Sequence, residues 1–184
     1  MSKSFDEKCK ILDFVSKEEK IKILESLNDV KDPKMINKII SMLDDPEIEV
    51  RGEAFSVLVQ NENNISEFLI KNLNSKSKNI RGFSALVLAN RKNSEAIQSI
   101  INLTNDSSSM VRSCALGSLG YLKAVQARKV IHNCLSDTNL EVKKSALKAA
   151  IDIGDKIQSN EFNEISKETD EELKKLIVLA KKNC

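Results

Sequence analysis

Few side chains in this sequence are equipped for chemistry. There is one histidine, His132, with Cys134 two residues further on. A cysteine activated by a histidine base is a workable nucleophile, but only when the two groups are within hydrogen-bond reach. Residues two apart on a helix point to different faces, so this pair is not expected to act together. The other candidate is Asp152 with Tyr121, Lys144 and Lys148, a carboxylate and an aromatic ring among cations. Cys9, Cys114, Cys134 and Cys184 form no C-x-x-C pair, and none stands at a metal-ligand spacing. Free thiols in a reducing cytoplasm are the expectation, with a structural disulfide as the alternative. There is no Gly-rich phosphate loop, no Ser-His-Asp set and no zinc quartet. No catalytic, cofactor-binding or metal-binding residue is therefore assigned.

A different set of residues recurs with a period. An apolar residue followed by a basic one stands at Val50-Arg51, Ile80-Arg81, Val111-Arg112, Val142-Lys143 and Leu173-Lys174. The first interval is 30 residues and the next three are 31. A fixed spacing in this range marks stacked supersecondary units. Composition agrees with helical units. Hydrophobic residues make up 41% and charged residues 30%, enough apolar content for a globular chain. Five glycines and two prolines are too few for a fold built on many tight turns.

Lys plus Arg is 29 against 27 for Asp plus Glu, a net charge of +2. That balance leaves no broad electrostatic footprint for nucleic acid, which is not expected as the partner. No apolar run approaches the ~20 residues of a membrane span. The opening MSKSFDEKCKILDF lacks the long apolar core of a secretory signal. A cytoplasmic protein follows as the expectation.

The helices can be laid along the chain. Lys3–Phe14 reads as a short amphipathic helix with Phe5, Cys9 and Leu12 inward. Ser16 caps a second helix, Lys17–Asn28, with Glu18 and Glu19 in its first turn. Asp32-Pro33 starts the first clear repeat, Asp as cap and Pro at the first helical position. The repeats then run as pairs of helices, A and B. The spacing predicts Pro33–Leu43 and Glu47–Gln60, Ile65–Leu73 and Asn79–Asn90, Ser94–Leu103 and Ser109–Leu122, Ala124–Leu135 and Leu140–Ile153. A weaker last pair, Asp155–Ile165 and Thr169–Lys182, has a polar A helix and reads as a C-terminal cap. One domain over 1–184 is expected, with capping helices in 1–30, regular repeats in 32–153 and the closing repeat in 155–184.

Leu43-Asp44-Asp45, Val50-Arg51, Ala54 and Leu58 together spell a pattern that recurs at Leu103, Val111-Arg112, Ala115 and Leu119. It recurs again at Leu135-Ser136-Asp137, Val142-Lys143, Ala146 and Ala150. This pattern resembles HEAT repeats, especially the short HEAT-like kind of phycobilisome lyases and small prokaryotic scaffolds. The resemblance covers about Asp32–Lys182. It implies an all-α fold, a right-handed α-α superhelix of about five helical hairpins after an N-terminal helical pair. It also implies that Arg51, Arg81, Arg112 and Lys143 pair with turn carboxylates as a structural ladder. Asp45, Asp106 and Asp137 are the available partners, and the second repeat offers only Asn74 or Ser75. Two enzyme types share the architecture beside scaffolds. HEAT-like hydroxylases carry several His-Glu pairs as iron ligands, and this chain has none. HEAT-like DNA glycosylases are basic and rich in aromatics, unlike this chain, and nothing singles out a bilin pocket for a lyase.

A helical wheel through the B helices places one arc inward: Val50, Ala54, Val57 and Leu58, with the matching residues of later repeats. The opposite side is the expected binding wall, where such arrays hold their ligands. It comprises Gln60, Phe83, Leu86, Asn90, Cys114, Tyr121, Lys144, Lys148 and Asp152. Phe83 and Leu86 are apolar where a solvated face is normally polar. Gly52 and Gly82, costly inside a helix, suggest close approach of another backbone. The reading is a monomeric, non-catalytic scaffold that holds a segment of another protein on this wall. A DNA-glycosylase-like nucleic-acid binder or a bilin-lyase-like enzyme stands as the alternative.

Overall fold

The computed structural model describes residues 9–167 and 169–182. The expected inward Phe5 and the thiol of Cys184 lie outside them. Every regular element among the described residues is helical. The chain divides into two compact units, Met1–Arg91 and Lys92–Cys184.

The first unit contains α1 (Lys17–Glu25), α2 (Pro33–Ser41), α3 (Ile48–Gln60), α4 (Ser66–Asn72) and α5 (Lys78–Asn90). The predicted starts hold. The Ser16 hydroxyl accepts from the Glu19 amide and the Glu19 carboxylate accepts from the Ser16 amide, a reciprocal cap. The Asp32 carboxylate accepts from the Met35 amide at 2.8 Å, with Pro33 opening the helix. The A helix α2 stops two residues before the predicted Leu43. Met42–Asp44 tightens into a 3₁₀ turn that satisfies the last carbonyls. The core is formed by the predicted arc: Val50, Ala54, Val57, Leu58, Val87 and Leu88 are buried. Ile80, at the first position of its arc, is only half-buried.

The second unit contains α6 (Ile97–Asn102), α7 (Ser109–Tyr121), α8 (Arg128–Cys134), α9 (Leu140–Asp152), α10 (Ser159–Ile165) and α11 (Glu171–Lys182). Its A helices begin as 3₁₀ turns at Ser94–Ala96 and Val125–Ala127. Val111, Ala115, Leu119, Val142, Ala146 and Ala150 are buried as the wheel requires. After three successive B helices the chain enters the left-handed region. Lys92 has φ 58°, Lys123 has φ 52° and Gly154 has φ 72°, spaced by the repeat length. The last A helix was expected from Asp155 and starts only at Ser159. Asp155 instead turns its carboxylate back to His132 and Arg128, at 3.0 Å and 2.6 Å.

Small residues set the spacing of α7 and α9. A Cβ on Gly120 would stand 3.0 Å from the Ala149 Cα, so only glycine allows this approach. At Gly52 an added Cβ meets nothing within 4 Å. The expected close approach of another backbone is therefore not what Gly52 serves among the described residues.

Candidate functional site

The recurring basic residues are the first part of the sequence reading to resolve. Arg51 donates through Nη1 to the backbone carbonyls of Asp45 and Pro46, at 2.8 and 3.0 Å. Arg81 does the same to Ser75 and Lys76, at 2.9 and 3.1 Å. Arg112 does the same to Asp106 and Ser107, at 2.9 and 3.4 Å. The acceptor is the peptide backbone of the turn, whatever side chain it carries. The turn side chains serve their own loop: Asp45, Ser75, Asp106 and Asp137 each accept from the amide two residues on. Such a staple satisfies turn carbonyls that would otherwise lack a partner.

One rung of the expected carboxylate ladder lies within the second unit. Arg112 forks the Asp137 carboxylate through Nε and Nη2, both at 2.8 Å. The guanidinium holds the Asp137 carboxyl below its ordinary range, and the carboxylate raises Arg112 in turn. Asp45 pairs instead with Lys20 at 2.6 Å, its side chain nearly sealed from solvent. A further cation was not anticipated: Arg91 caps the C-terminal end of α3. It donates to the carbonyls of Leu58, Val59, Asn61 and Asn63. Burial pushes its guanidinium below the usual value. A cation at a helix C-terminus is favoured by the helix dipole.

His132 and Cys134 part as the two-residue offset requires. The ring faces Glu161 Oε1 at 2.7 Å through Nδ1 and Asp155 Oδ2 at 3.0 Å through Nε2. Cys134 is buried with its sulfur toward the Thr104 carbonyl. The histidine thus joins α8 to the closing hairpin. Cys114 and Cys134 are free thiols, and the Cys9 sulfur meets that of Met35 at 3.7 Å. Burial pushes the Cys114 thiol up to about 11, which keeps it protonated and unreactive. Among the described residues no group of three or more His, Cys, Asp or Glu is placed to hold a metal ion. Nor does any helix among them have the length and apolarity to cross a membrane.

Five of the nine residues of the expected binding wall, Phe83, Leu86, Tyr121, Lys148 and Asp152, line two grooves, one in each unit. In the first unit, Ile48, Arg51, Gly52, Phe55, Phe83 and Leu86 line a groove of about 350 Å³ between α3 and α5. Its surface is almost wholly hydrocarbon. Phe83 and Leu86 are half-buried and line this groove, and Ile48, also in the lining, is 69% exposed. Phe55 and Ile48 belong to the site and were not among the predicted residues. Gln60 and Asn90 are exposed and bond back within their own helices, to Ser56 and to the Leu86 carbonyl.

In the second unit, Gly117, Gly120, Tyr121, Lys123, Ser145, Lys148, Ala149 and Asp152 line a groove of about 560 Å³ between α7 and α9. Tyr121 is 54% exposed and Lys148 is exposed. Lys123 donates to the Asp152 carbonyl at 2.6 Å. Lys144, expected on the wall, is withdrawn from it: it is 9% exposed and enclosed by carboxylates. Glu141 and Glu172 each lie 2.7 Å from its ammonium and Asp170 lies at 3.8 Å. Those acids hold its pKa above the ordinary lysine value, Glu141 foremost. Cys114 is half-buried and turned to the Met110 sulfur at 3.6 Å, away from both linings.

Comparison with known proteins bears on the fold. HEAT repeats as a family match residues 66–127, and the HEAT repeat associated with sister chromatid cohesion matches residues 122–150. No curated protein matches the chain. Among solved structures, the CpcE–CpcF complex of phycocyanin lyase from Nostoc sp. PCC7120 superposes with TM-score 0.67 at 16% identity. That match covers 82% of this chain and 99% of the other. Escherichia coli YibA superposes with TM-score 0.66 at 19% identity, over 97% of this chain and 70% of the other. A designed armadillo repeat protein in complex with the peptide (KR)4 superposes with TM-score 0.56 at 16% identity. It covers 98% of this chain and 99% of the other. At such identities the likeness establishes the all-helical, HEAT- and armadillo-like solenoid class and leaves activity open. The repeat period, the buried arc of each B helix and the family matches agree: residues 66–150 match HEAT repeats, and the chain has a HEAT- and armadillo-like solenoid fold.

Proposed function

We propose that the chain is a non-catalytic interaction scaffold that holds a segment of another protein in the groove of its first unit. The observation that carries this reading is the lining: Ile48, Phe55, Phe83 and Leu86 around Gly52, with hydrocarbon facing solvent. Water is a poor occupant of such a surface, and an apolar side chain set into it gains about 1.5–3 kcal/mol. The volume sits at the low end of the ~300–1,000 Å³ common for small-molecule sites, a size that suits one or two anchoring side chains. Gly52 supports the reading, because a glycine inside a helix costs roughly 0.5–1 kcal/mol relative to alanine. No described residue occupies the space it leaves. The designed armadillo repeat protein of similar fold was solved in complex with a peptide, (KR)4, which lends support to the reading.

A display library of random linear peptides, selected on the wild-type protein, tests the reading. Selected peptides should lose binding to the Phe83→Asp and Leu86→Asp variants while both variants keep the wild-type melting temperature to within a few degrees. Peptides that bind these variants as well as wild type place the interaction elsewhere.

A further inference from the structure

Arg112 and Arg51 occupy the same repeat position and make the same Nη1 staple to their turns. They differ in what the rest of the guanidinium does. At Arg112 the Nε–Nη2 edge forks a carboxylate, Asp137, which is the turn residue of the following repeat. At Arg51 the turn residue of the following repeat is Ser75, which carries no charge and spends its hydroxyl on the Ser77 amide. Arg51 makes no ion pair with any described residue. The acids around it are engaged elsewhere: Asp44 with Asn79, Asp45 with Lys20, Glu49 with Lys17. A guanidinium bonded to no carboxylate is thus anchored by one nitrogen at the edge of the apolar groove, where it forms part of the lining; the anion it senses, Glu49, is already bonded to Lys17.

We infer that the segment taken by this groove carries a side-chain carboxylate, Asp or Glu, beside its apolar anchor, and that Arg51 forks that carboxylate. The inference rests on the groove reading above and specifies its ligand. The repeat supplies its own template, since the Arg112–Asp137 pair shows the geometry that this arginine position adopts with a carboxylate. Fixing Nη1 on the turn removes much of the rotamer freedom that an exposed arginine must lose on binding. Charge and apolar surface then act together. The hydrocarbon wall supplies affinity, and the fixed guanidinium selects the flanking residue through a planar, two-bond contact.

The test uses peptides selected on the full chain, synthesised with amidated C-termini so that only side-chain carboxylates are present, and measured by fluorescence anisotropy. Enriched peptides should carry Asp or Glu within about three residues of a Leu, Ile, Met or Phe. Replacing that acid by Asn or Gln should weaken binding to wild type about tenfold. The same replacement should change binding to Arg51→Gln by less than about twofold, since the partner charge is gone. Arg51→Lys guards against a folding defect, because Lys143 stands naturally at the equivalent position. It should fold and retain only part of the preference for the acid, since an ammonium cannot fork a carboxylate. Peptides that depend on Phe83 but tolerate loss of the acid on wild type overturn this inference and leave the groove reading standing. The same holds if the acid matters equally on Arg51→Gln. Peptides indifferent to Phe83→Asp, or no enrichment at all, overturn both.

Discussion

The two grooves lie at different levels between paired B helices, the first along their N-terminal halves and the second towards their C-terminal ends, and they have opposite character. Each lies between consecutive B helices, α3 with α5 in the first unit and α7 with α9 in the second. The first is walled by Ile48, Phe55, Phe83 and Leu86. The second offers Tyr121, Lys123, Lys148 and Asp152 around two glycines. The helices beneath them are interchangeable in kind, with Val50, Ala54 and Leu58 matched by Val111, Ala115 and Leu119. The repeat pattern therefore determines that a furrow exists, and the residues it leaves free determine what the furrow recognises. This is why a HEAT match identifies the scaffold and is silent on the ligand.

The most damaging test of a shared framework lies beneath the charged groove. Leu119 is fully buried, so Leu119→Asp should cost more than ~4 kcal/mol and abolish protection of α7 and α9 in hydrogen exchange. Unchanged protection there would show the register to be wrong. At the surface, Phe83→Asp should weaken a selected peptide about a hundredfold, close to 2.7 kcal/mol, whereas Tyr121→Asp should change it less than threefold. Equal losses would mean that the apolar wall has no privilege.

The ion pair separates the units more finely. Asp137→Asn should cost about 2 kcal/mol, measured by urea unfolding at neutral pH. Because the folded Asp137 carboxyl lies below its ordinary 3.8, this contribution is present above that pH. It is lost as the pH falls through the depressed value, so the wild type and the variant should converge in acid. Arg51→Lys should show no such acid-dependent difference, since Arg51 has no carboxylate partner. Ser84 tests the core arc. It is fully buried with no hydrogen-bond partner for its hydroxyl, where the other repeats place Ala54, Ala115 and Ala146. Ser84→Ala should stabilise by about 1 kcal/mol. The smallest effect belongs to the glycines. Gly52→Ala and Gly117→Ala should each add roughly 0.5–1 kcal/mol, since an added methyl meets nothing, while Gly120→Ala should destabilise.

What could be read in advance follows from which quantities are periodic. The inward arc is periodic because burial demands an apolar or small residue at fixed angles, so its register and the caps at Ser16 and Asp32 were legible. Helix ends were less so. The 3₁₀ turns at Met42–Asp44 and Val125–Ala127 satisfy backbone groups, and side-chain types do not report on those. The arginine ladder was legible only in part, since Arg112 does pair with the turn carboxylate of the next repeat, Asp137. Asp45 and Asp106 stand where a carboxylate partner seems natural, yet Arg51 and Arg112 grip the peptide carbonyls there. The constant offset of six residues, kept even at Ser75, was the available signal. Lys144 looks outward on its own helix. Only the fold brings Glu172, from another helix, against it. Arg91 has no periodic counterpart, Leu122 standing one repeat later, so no pattern could mark it as a cap.

The six-residue reach of the turn staples has a kinetic consequence. A bond between Arg51 and the carbonyl of Asp45 closes a small ring of chain and needs no neighbouring hairpin to be in place. Each hairpin can therefore organise its own bend early, at little entropic cost, before docking supplies the larger stabilisation. Assembly of the array is accordingly expected to be fast, to start at more than one point, and to slow most when a docking face rather than a bend is damaged.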